Sequence, residues 1–520
     1  MRNLPAPLVI LVSCCFAILL WLGLPGGGEF WPVLPIALVP LFLLTLERSP
    51  WKRFSFGLLA GFLHFIFQLY WIVIVLERYG HLPWFFSYPA LILLAVYMAL
   101  YVAAFVAIAG SLLQRWGGGT ALWLLPFVWV GLDWLRSILF SGFPWMDLGY
   151  GMWQVPLLAQ TADLFGHHFL TFTLVLCSGL LFFLLRQGKS RGWPLHMAAV
   201  FLLCTAVVLY GHFRIGQLEQ KIAGGDSAVI GVVQGNIDQS RKWAPEEQQR
   251  TIATYLHHTE KLLRQTPRPQ LVVWPETALP FFPMRSPLIE ELRLFTAEEG
   301  TTLLVGSPWF EVVDVEERDI DFYNSAFLLT PAGELKDRYF KSHLVPFGEY
   351  VPMRRLLPFL APLVEAVGDF SAGQVTRPLS SGTIEAGVLI CFESIFPDIA
   401  RQWANAGANV LVNLTNDAWY GRSSAPSQSM AMSVLRAVET RRSLVRAANT
   451  GISGFVDPIG RVRSSSDIFI PWAQNSEVVL LEKLSFFNRY GYLFAPFCAI
   501  FTAALVVLLL LRKRRSPQLG

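Results

Sequence analysis

Two kinds of hydrophobic pattern alternate along this chain. Up to about residue 213, apolar runs long enough to cross a bilayer follow one another, at roughly 8–24, 31–46, 54–76, 88–113, 120–140, 163–185 and 194–213, and an eighth lies at about 490–511. A spanning helix needs about 20 mostly apolar residues, because each residue covers only about 1.5 Å of a hydrocarbon layer about 30 Å thick. The second run is short and carries Pro32, Pro35 and Pro40, which leaves its ends the least defined. Between 214 and 489 the pattern changes. Residues 229–233 (VIGVV), 271–274 (LVVW), 386–390 (AGVLI) and 410–414 (VLVNL) have the length and β-branched content of buried strands. Residues 245–264 and 426–447 read as helices. Strand alternating with helix predicts a layered α/β domain, and about 275 residues can bury a core of their own. The expected organisation is a transmembrane domain of about seven helices over 1–213, a soluble domain over 214–489, a last span over 490–511 and a basic tail over 512–520.

Charge sets the expected orientation. Arg48, Lys52 and Arg53 follow the second run, Arg115 the fourth, and Arg186, Lys189 and Arg191 the sixth; Arg512, Lys513, Arg514 and Arg515 follow the eighth. With eight spans all of these share one side with Arg2, and the opposite short loops offer little beyond Arg78. Positive loops stay in the cytoplasm, so both termini are expected there and the 214–489 domain outside. Leu11-Val12-Ser13-Cys14 resembles a lipoprotein cleavage box, but the apolar run continues past Cys14, and an uncleaved anchor is expected. Composition agrees: 54% of residues are hydrophobic, the mean hydropathy is +0.46, and a net charge of +4 leaves no basic patch for nucleic acid. No P-loop, HExxH or zinc-type cysteine spacing occurs. Asp133 and Arg136, spaced i,i+3 at membrane depth, are expected to pair. The aromatics of 143–150 suit an interfacial platform.

Candidate chemistry gathers where the strands of the soluble domain end. Such ends are where layered α/β folds display polar groups. Cys391 follows the 386–390 run, a common address for a nucleophile, although by itself it reads as readily as a buried structural cysteine, a small hydrophobe. The other five cysteines (Cys14, Cys15, Cys177, Cys204 and Cys498) lie in long apolar runs, so Cys391 has no evident disulfide partner in this domain. A thiol needs a base, and no histidine follows Cys391, which excludes a papain-like order. His343 lies upstream, but the sequence around Cys391 lacks the caspase signature. Glu276, between Pro275 and Thr277 at a strand end, and Lys341, in an apolar setting, are the better candidates.

Glu276, Lys341 and Cys391, in this order and each at a strand end, resemble the nitrilase (carbon–nitrogen hydrolase) superfamily. The words VVWPET, FYNSAFLL, YFKSHLVPFGEYVP, ICFES and NLTNDAWYG, with GFPW and the multi-span N-terminal part, resemble the apolipoprotein N-acyltransferase family of bacterial inner membranes. The resemblance covers nearly the whole chain. Phe392 departs from the tyrosine more usual there, which touches a hydroxyl contact but not a backbone N–H role. The resemblance implies an αββα-sandwich catalytic domain on the periplasmic side. It also implies acyl transfer from a membrane phospholipid, through a thioester on Cys391, to the α-amine of a diacylglyceryl-cysteine apolipoprotein. In that scheme Glu276 is the base. Lys341 and the Phe392 N–H stabilise the oxyanion, Glu349 holds Lys341, and Glu393 is a further supporting or oxyanion residue. No metal or organic cofactor is implied. Asn324, Trp419, Trp243 and Phe359 are expected to line substrate or form a lid, the apolar stretch 353–367 being the candidate arm. A membrane-anchored amidase would keep the triad without needing eight spans. A transporter with an outer sensory domain would need charged residues deep in several spans, and these runs carry few apart from their ends.

Overall fold

The computed structural model describes residues 3–187, 192–314, 319–350 and 369–513. Phe359 and the apolar stretch 353–367, Arg2, Lys189, Arg191 and the tail from residue 514 lie outside them. The chain forms two compact units. The first joins residues up to Glu77 with 82–215 and those from Arg489 onward; the second comprises Arg78–His81 and Gly216–Asn488.

The first unit is helical. Among the described residues, Ala6–Gly23, Trp84–Ser141, His167–Arg186, Trp193–Gly224 and Gly491–Leu511 are long and apolar enough to cross a membrane; the bent pair Pro50–Leu69 and Trp71–Tyr79 makes six. Two local features relate these segments to the eight runs in the sequence. The proline-rich second run breaks into Trp31–Val33, Leu34–Ala37 and Val39–Leu44, because proline lacks the N–H that an interior turn needs. The fourth and fifth runs form two helices that meet at Gly117, where φ is 75° and ψ 173°, within the 55 residues Trp84–Ile138. A single straight helix of that length would run about 80 Å, far more than a bilayer.

Helix contact in this unit depends on small residues. A Cβ on Gly57 or Gly61 would lie 2.8 or 2.9 Å from the Cα of Ala103 or Ala99. This four-residue glycine spacing lets two backbones touch, the arrangement that packs helices where lipid removes the hydrophobic drive between them. Arg136 pairs with Asp133 at 3.4 Å and also with Asp147, whose other oxygen meets His167 Nε2 at 2.8 Å. Trp145 and Tyr150 are buried, Trp145 against Trp71 and Phe143, and Tyr150 stacked on His167.

The second unit carries two six-stranded sheets. β1 (Ser227–Gln234), β2 (Leu271–Val273), β3 (Thr302–Asp314), β4 (Asp319–Leu329), β5 (Leu335–Phe340) and β12 (Trp472–Val479) form the first, in the order β12-β1-β2-β3-β4-β5. β6 (Leu379–Ser381), β7 (Ile384–Ile390), β8 (Val410–Thr415), β9 (Ser443–Ala448), β10 (Gly454–Val456) and β11 (Val462–Ser465) form the second, in the order β11-β10-β9-β8-β7-β6. β1, β2 and β3 run parallel, as do β7, β8 and β9. Strands buried on both faces need apolar runs rather than alternation, which is why 229–233, 386–390 and 410–414 read as they do. The sheets face each other through β1 with β9 and β4 with β7. Helix Pro245–Leu263 covers the first sheet, and Pro397–Asn405 with Ala425–Thr440 covers the second. The unit is an αββα sandwich.

One boundary differs from the sequence reading. The helix expected over 426–447 stops at Thr440, where Arg441 adopts φ 55° and ψ 44°, and residues 443–448 form β9 instead. Ser443-Leu-Val-Arg-Ala-Ala is buried throughout. Sheet pairing with β8 and β10 outweighs the helix propensity of its alanines and arginine.

Candidate active site

The candidate residues sit just beyond strand ends: Glu276 after β2, Lys341 directly after β5, Cys391 directly after β7 and Asn416 directly after β8. Cys391 has φ 52°. A non-glycine residue in this left-handed region is strained and sits there only when its surroundings enforce it. Glu393 supplies much of that enforcement. One carboxylate oxygen accepts from Ile390 N at 2.7 Å; the other accepts from Tyr339 Oη, Ser342 N and Ser342 Oγ at 2.7 Å and from His343 N at 3.1 Å. A single buried carboxylate thus ties the turn at Cys391 to the chain leaving β5. Burial raises the Glu393 carboxyl, and these hydrogen bonds oppose it.

Glu276 is 6% exposed. Asn324 Nδ2 donates to its Oε1 at 2.8 Å, and the Asn416 backbone N–H donates to its Oε2 at 2.9 Å. Asn324 Nδ2 also donates to Glu349 Oε1 at 2.9 Å, so one amide bridges two carboxylates. Lys341 Nζ donates to Glu349 Oε1 at 2.9 Å and lies 2.8 Å from Oε2. Val345 N completes the hold on Glu349 at 2.8 Å. The turn bearing Glu276 rests against β3: a Cβ on Gly306 would fall 2.5 Å from Pro275 O and 2.7 Å from Glu276 Cα, so this close approach requires glycine.

The electrostatics follow from this packing. Burial raises the Glu276 carboxyl above its ordinary value; Lys341 opposes, Glu349 adds to the rise, and hydrogen bonds from Asn324 and the Cys391 thiol oppose it. Burial would pull the Lys341 ammonium down, but the charges of Glu349, Cys391 and Glu276 outweigh it and hold the group above its ordinary value. Burial also pushes the Cys391 thiol up, Glu276 and Asp417 push further, and Lys341 and a hydrogen bond to Thr415 oppose. The arrangement sets the Cys391 thiol beside the Glu276 carboxyl and the Lys341 ammonium. It can take a proton from sulfur when attack begins and offer a cation to the oxyanion that forms.

Not every candidate side chain lies in this cluster. Phe392 is buried against Phe396 at 5.1 Å between ring centres, a packing position. Trp243 is 48% exposed. Trp419 meets Tyr79 edge-to-face at 5.1 Å. Other residues in the cluster escaped the sequence reading. Asn416 Nδ2 donates to Gln239 Oε1 at 2.6 Å, and its Oδ1 accepts from Asn449 Nδ2 at 3.1 Å, which fixes the peptide that faces Glu276. Asp417 accepts from Thr415 Oγ1 at 2.8 Å and pairs with buried Arg446 at 3.0 Å. Lys242, adjacent to the exposed Trp243, is the buried member of that dipeptide. Asn416 and Asp417 lay inside a quoted motif; Gln239, Asn449 and Lys242 carried no signal, because long-range hydrogen bonds leave no spacing in the chain. Among the described residues, Asp147, His167 and His168 have metal-ligand proximity, but the Arg136 guanidinium already pairs with Asp147 and would repel a cation.

Residues 16–180 match the family described as apolipoprotein N-acyltransferase N-terminal domain, and residues 229–469 match carbon-nitrogen hydrolase. An apolipoprotein N-acyltransferase of Geobacter metallireducens is 40% identical over 513 residues, covering 98% of this chain and 96% of the relative. One of Methylococcus capsulatus is 34% identical, covering 84% of each. Among solved structures, an amidase from Nesterenkonia sp. AN1 aligns over 52% of this chain and 99% of its own at 20% identity, with a TM-score of 0.37. With near-full-length similarity spanning both the helical and the sandwich units, this chain belongs to the apolipoprotein N-acyltransferase family.

Proposed function

We propose that this protein moves a fatty acyl chain from a membrane phospholipid to the α-amine of an N-terminal diacylglyceryl-cysteine, with Cys391 as the acyl carrier. The observation that carries the reading is the grouping of Cys391, Glu276 and the Glu349-held Lys341 at converging strand ends, in a chain whose other unit is built of apolar helices.

In the first half, Glu276 takes the thiol proton as sulfur attacks the ester carbonyl. The oxyanion gathers against Lys341, with the Phe392 N–H as a second donor. A preorganised donor of this kind is worth about 10²–10³ in rate. Collapse breaks the ester C–O bond, the departing oxygen takes the proton from Glu276, and a lysophospholipid leaves. In the second half, the acceptor amine attacks the thioester, Glu276 removes a proton from the attacking nitrogen, and the C–S bond breaks to restore the thiol. Glu276, Cys391 and the two substrates account for every proton and electron pair. Both substrates are lipids, which gives the apolar helices a purpose a soluble amidase would lack.

Incubating the protein with phospholipid and no acceptor should add one acyl chain to its intact mass, localised to Cys391 by peptide mapping. An unmodified protein that nonetheless released lysophospholipid would overturn the acyl-enzyme. An adduct cleared by water as fast as by amine would favour an amidase.

The location proposed is the bacterial inner membrane, with the sandwich on the periplasmic side. The one-sided Lys/Arg distribution supports it. A reporter active only outside the cytoplasm should work when fused near Gln265 and stay silent when fused after Arg515. The reverse pattern would remove the argument that the site faces the outer leaflet.

A further inference from the structure

Resting on the reading of Glu276 as the base, we infer that Lys242 is a positioning residue that clamps the Glu276–Thr277 peptide and so aims the base at Cys391. Lys242 is fully buried. Its Nζ donates to Thr277 Oγ1 at 3.2 Å and to the Glu276 backbone carbonyl at 3.5 Å. Among the described residues its side chain forms no ion pair with a carboxylate. Its partners are the backbone and hydroxyl of the turn that carries the base.

That turn needs holding. Thr277 has φ 46°, in the left-handed region that a β-branched residue enters only under constraint. β3 closes the turn on one side, where a Cβ on Gly306 would fall 2.8 Å from Thr277 N, and Lys242 reaches it through a separate loop. The same loop contacts the base by a second route. Gln239 accepts from Asn416 Nδ2 at 2.6 Å, and Asn416 N donates to the Glu276 carboxylate at 2.9 Å. Lys242 N donates to Asp238 O at 3.0 Å, which sets the lysine on the same short turn as Gln239. One loop therefore governs both the carbonyl and the carboxylate of Glu276.

A lysine is a costly means of packing this space. Burial lowers its ammonium to about 7, with Glu276 acting in the opposite sense. Methionine would fill similar volume without a buried charge. If Lys242 serves only the fold, Lys242→Met lowers the thermal midpoint by leaving the Glu276 carbonyl and Thr277 hydroxyl unpaired, whereas a positioning role predicts that it spares the fold and slows chemistry.

The test uses the full-length protein in lipid nanodiscs with phospholipid as donor. Lys242→Met and Thr277→Val, which removes the nearer acceptor but keeps the lysine, are compared with wild type and Glu276→Gln. Acyl-enzyme formation by intact mass, kcat and KM for phospholipid, and thermal midpoint are measured. The expected result is a loss of about 10–10²-fold in kcat for Lys242→Met, the scale of a misplaced catalytic group, with KM and thermal midpoint retained. Thr277→Val should move in the same direction by a smaller factor. Wild-type acyl loading in a folded Lys242→Met protein overturns the inference, as does a loss that tracks a fall in thermal midpoint in both variants. If Glu276→Gln alone is inactive while both other variants load normally, only the role of Lys242 fails. If Glu276→Gln itself loads at the wild-type rate, the reading beneath the inference fails as well.

Discussion

Cys391→Ser should leave a folded protein with essentially no turnover, a loss of about 10⁴-fold or more, as when a covalent nucleophile is removed. Serine nearly preserves size, and the φ of 52° at this position is held by Glu393 through Ile390 N and the chain after β5 rather than by the sulfur. What changes is the proton. An unperturbed thiol ionises near pH 8.5, and here burial and neighbouring carboxylates already push it upward. A hydroxyl is much harder to ionise, and a carboxylate base, unlike the imidazole that serves serine hydrolases, cannot make up the difference. The measurement is lysophospholipid release and amide formation by purified Cys391→Ser protein of unchanged thermal midpoint. Substantial activity would rule out the thioester route. Replacing Cys14, Cys15, Cys177, Cys204 or Cys498 by alanine should leave the chemistry intact.

Glu276→Gln should slow both halves of the reaction, each by about 10²–10⁴-fold, the usual range for a lost general base. The amide keeps much of the shape between Asn324 and the Asn416 N–H but cannot accept a proton. Lys341→Met should also impair both halves, since each passes through an oxyanion. The wild-type pH profile carries a related signature. Burial raises the Glu276 carboxyl, so its protonated, inactive form persists to higher pH than in an exposed glutamate. Activity should therefore fall on acidification at a higher pH than an ordinary glutamate would give. The upward-held Cys391 and Lys341 should keep the profile flat into mild alkali. Assaying donor cleavage without acceptor and amide formation with it separates the halves. Acyl loading of Glu276→Gln at the wild-type rate would remove Glu276 from its role.

Much of the catalytic neighbourhood was legible because it depends on short-range rules. Apolar pentads such as AGVLI announce strands buried on both faces, and polar residues directly after them mark the strand ends. Cys391 could be singled out on that basis, Glu276 by its place beside Pro275 at a strand end, and Lys341 by its apolar setting. The same local rules misread 441–447. Arg441 turns left-handed and the following residues pair with β8, a choice made by a neighbouring strand and not by their own propensity.

Membrane length and charge asymmetry were written into the sequence by itself, since bilayer thickness and the positive-inside bias act on each segment separately. So was the candidate chemistry, through the order of Glu276, Lys341 and Cys391 and the words around them, since the thiol alone reads as readily as a buried structural cysteine. Tertiary structure alone decided how the site is held. Asn324 bridges Glu276 and Glu349, Glu393 gathers the backbone around Cys391, and buried Lys242 reaches the Glu276 turn from a loop that looks like an ordinary polar connection. These contacts join residues 3 to 51 positions apart. A hydrogen bond needs two groups within about 3 Å of each other in space, and chain spacing imposes no such condition.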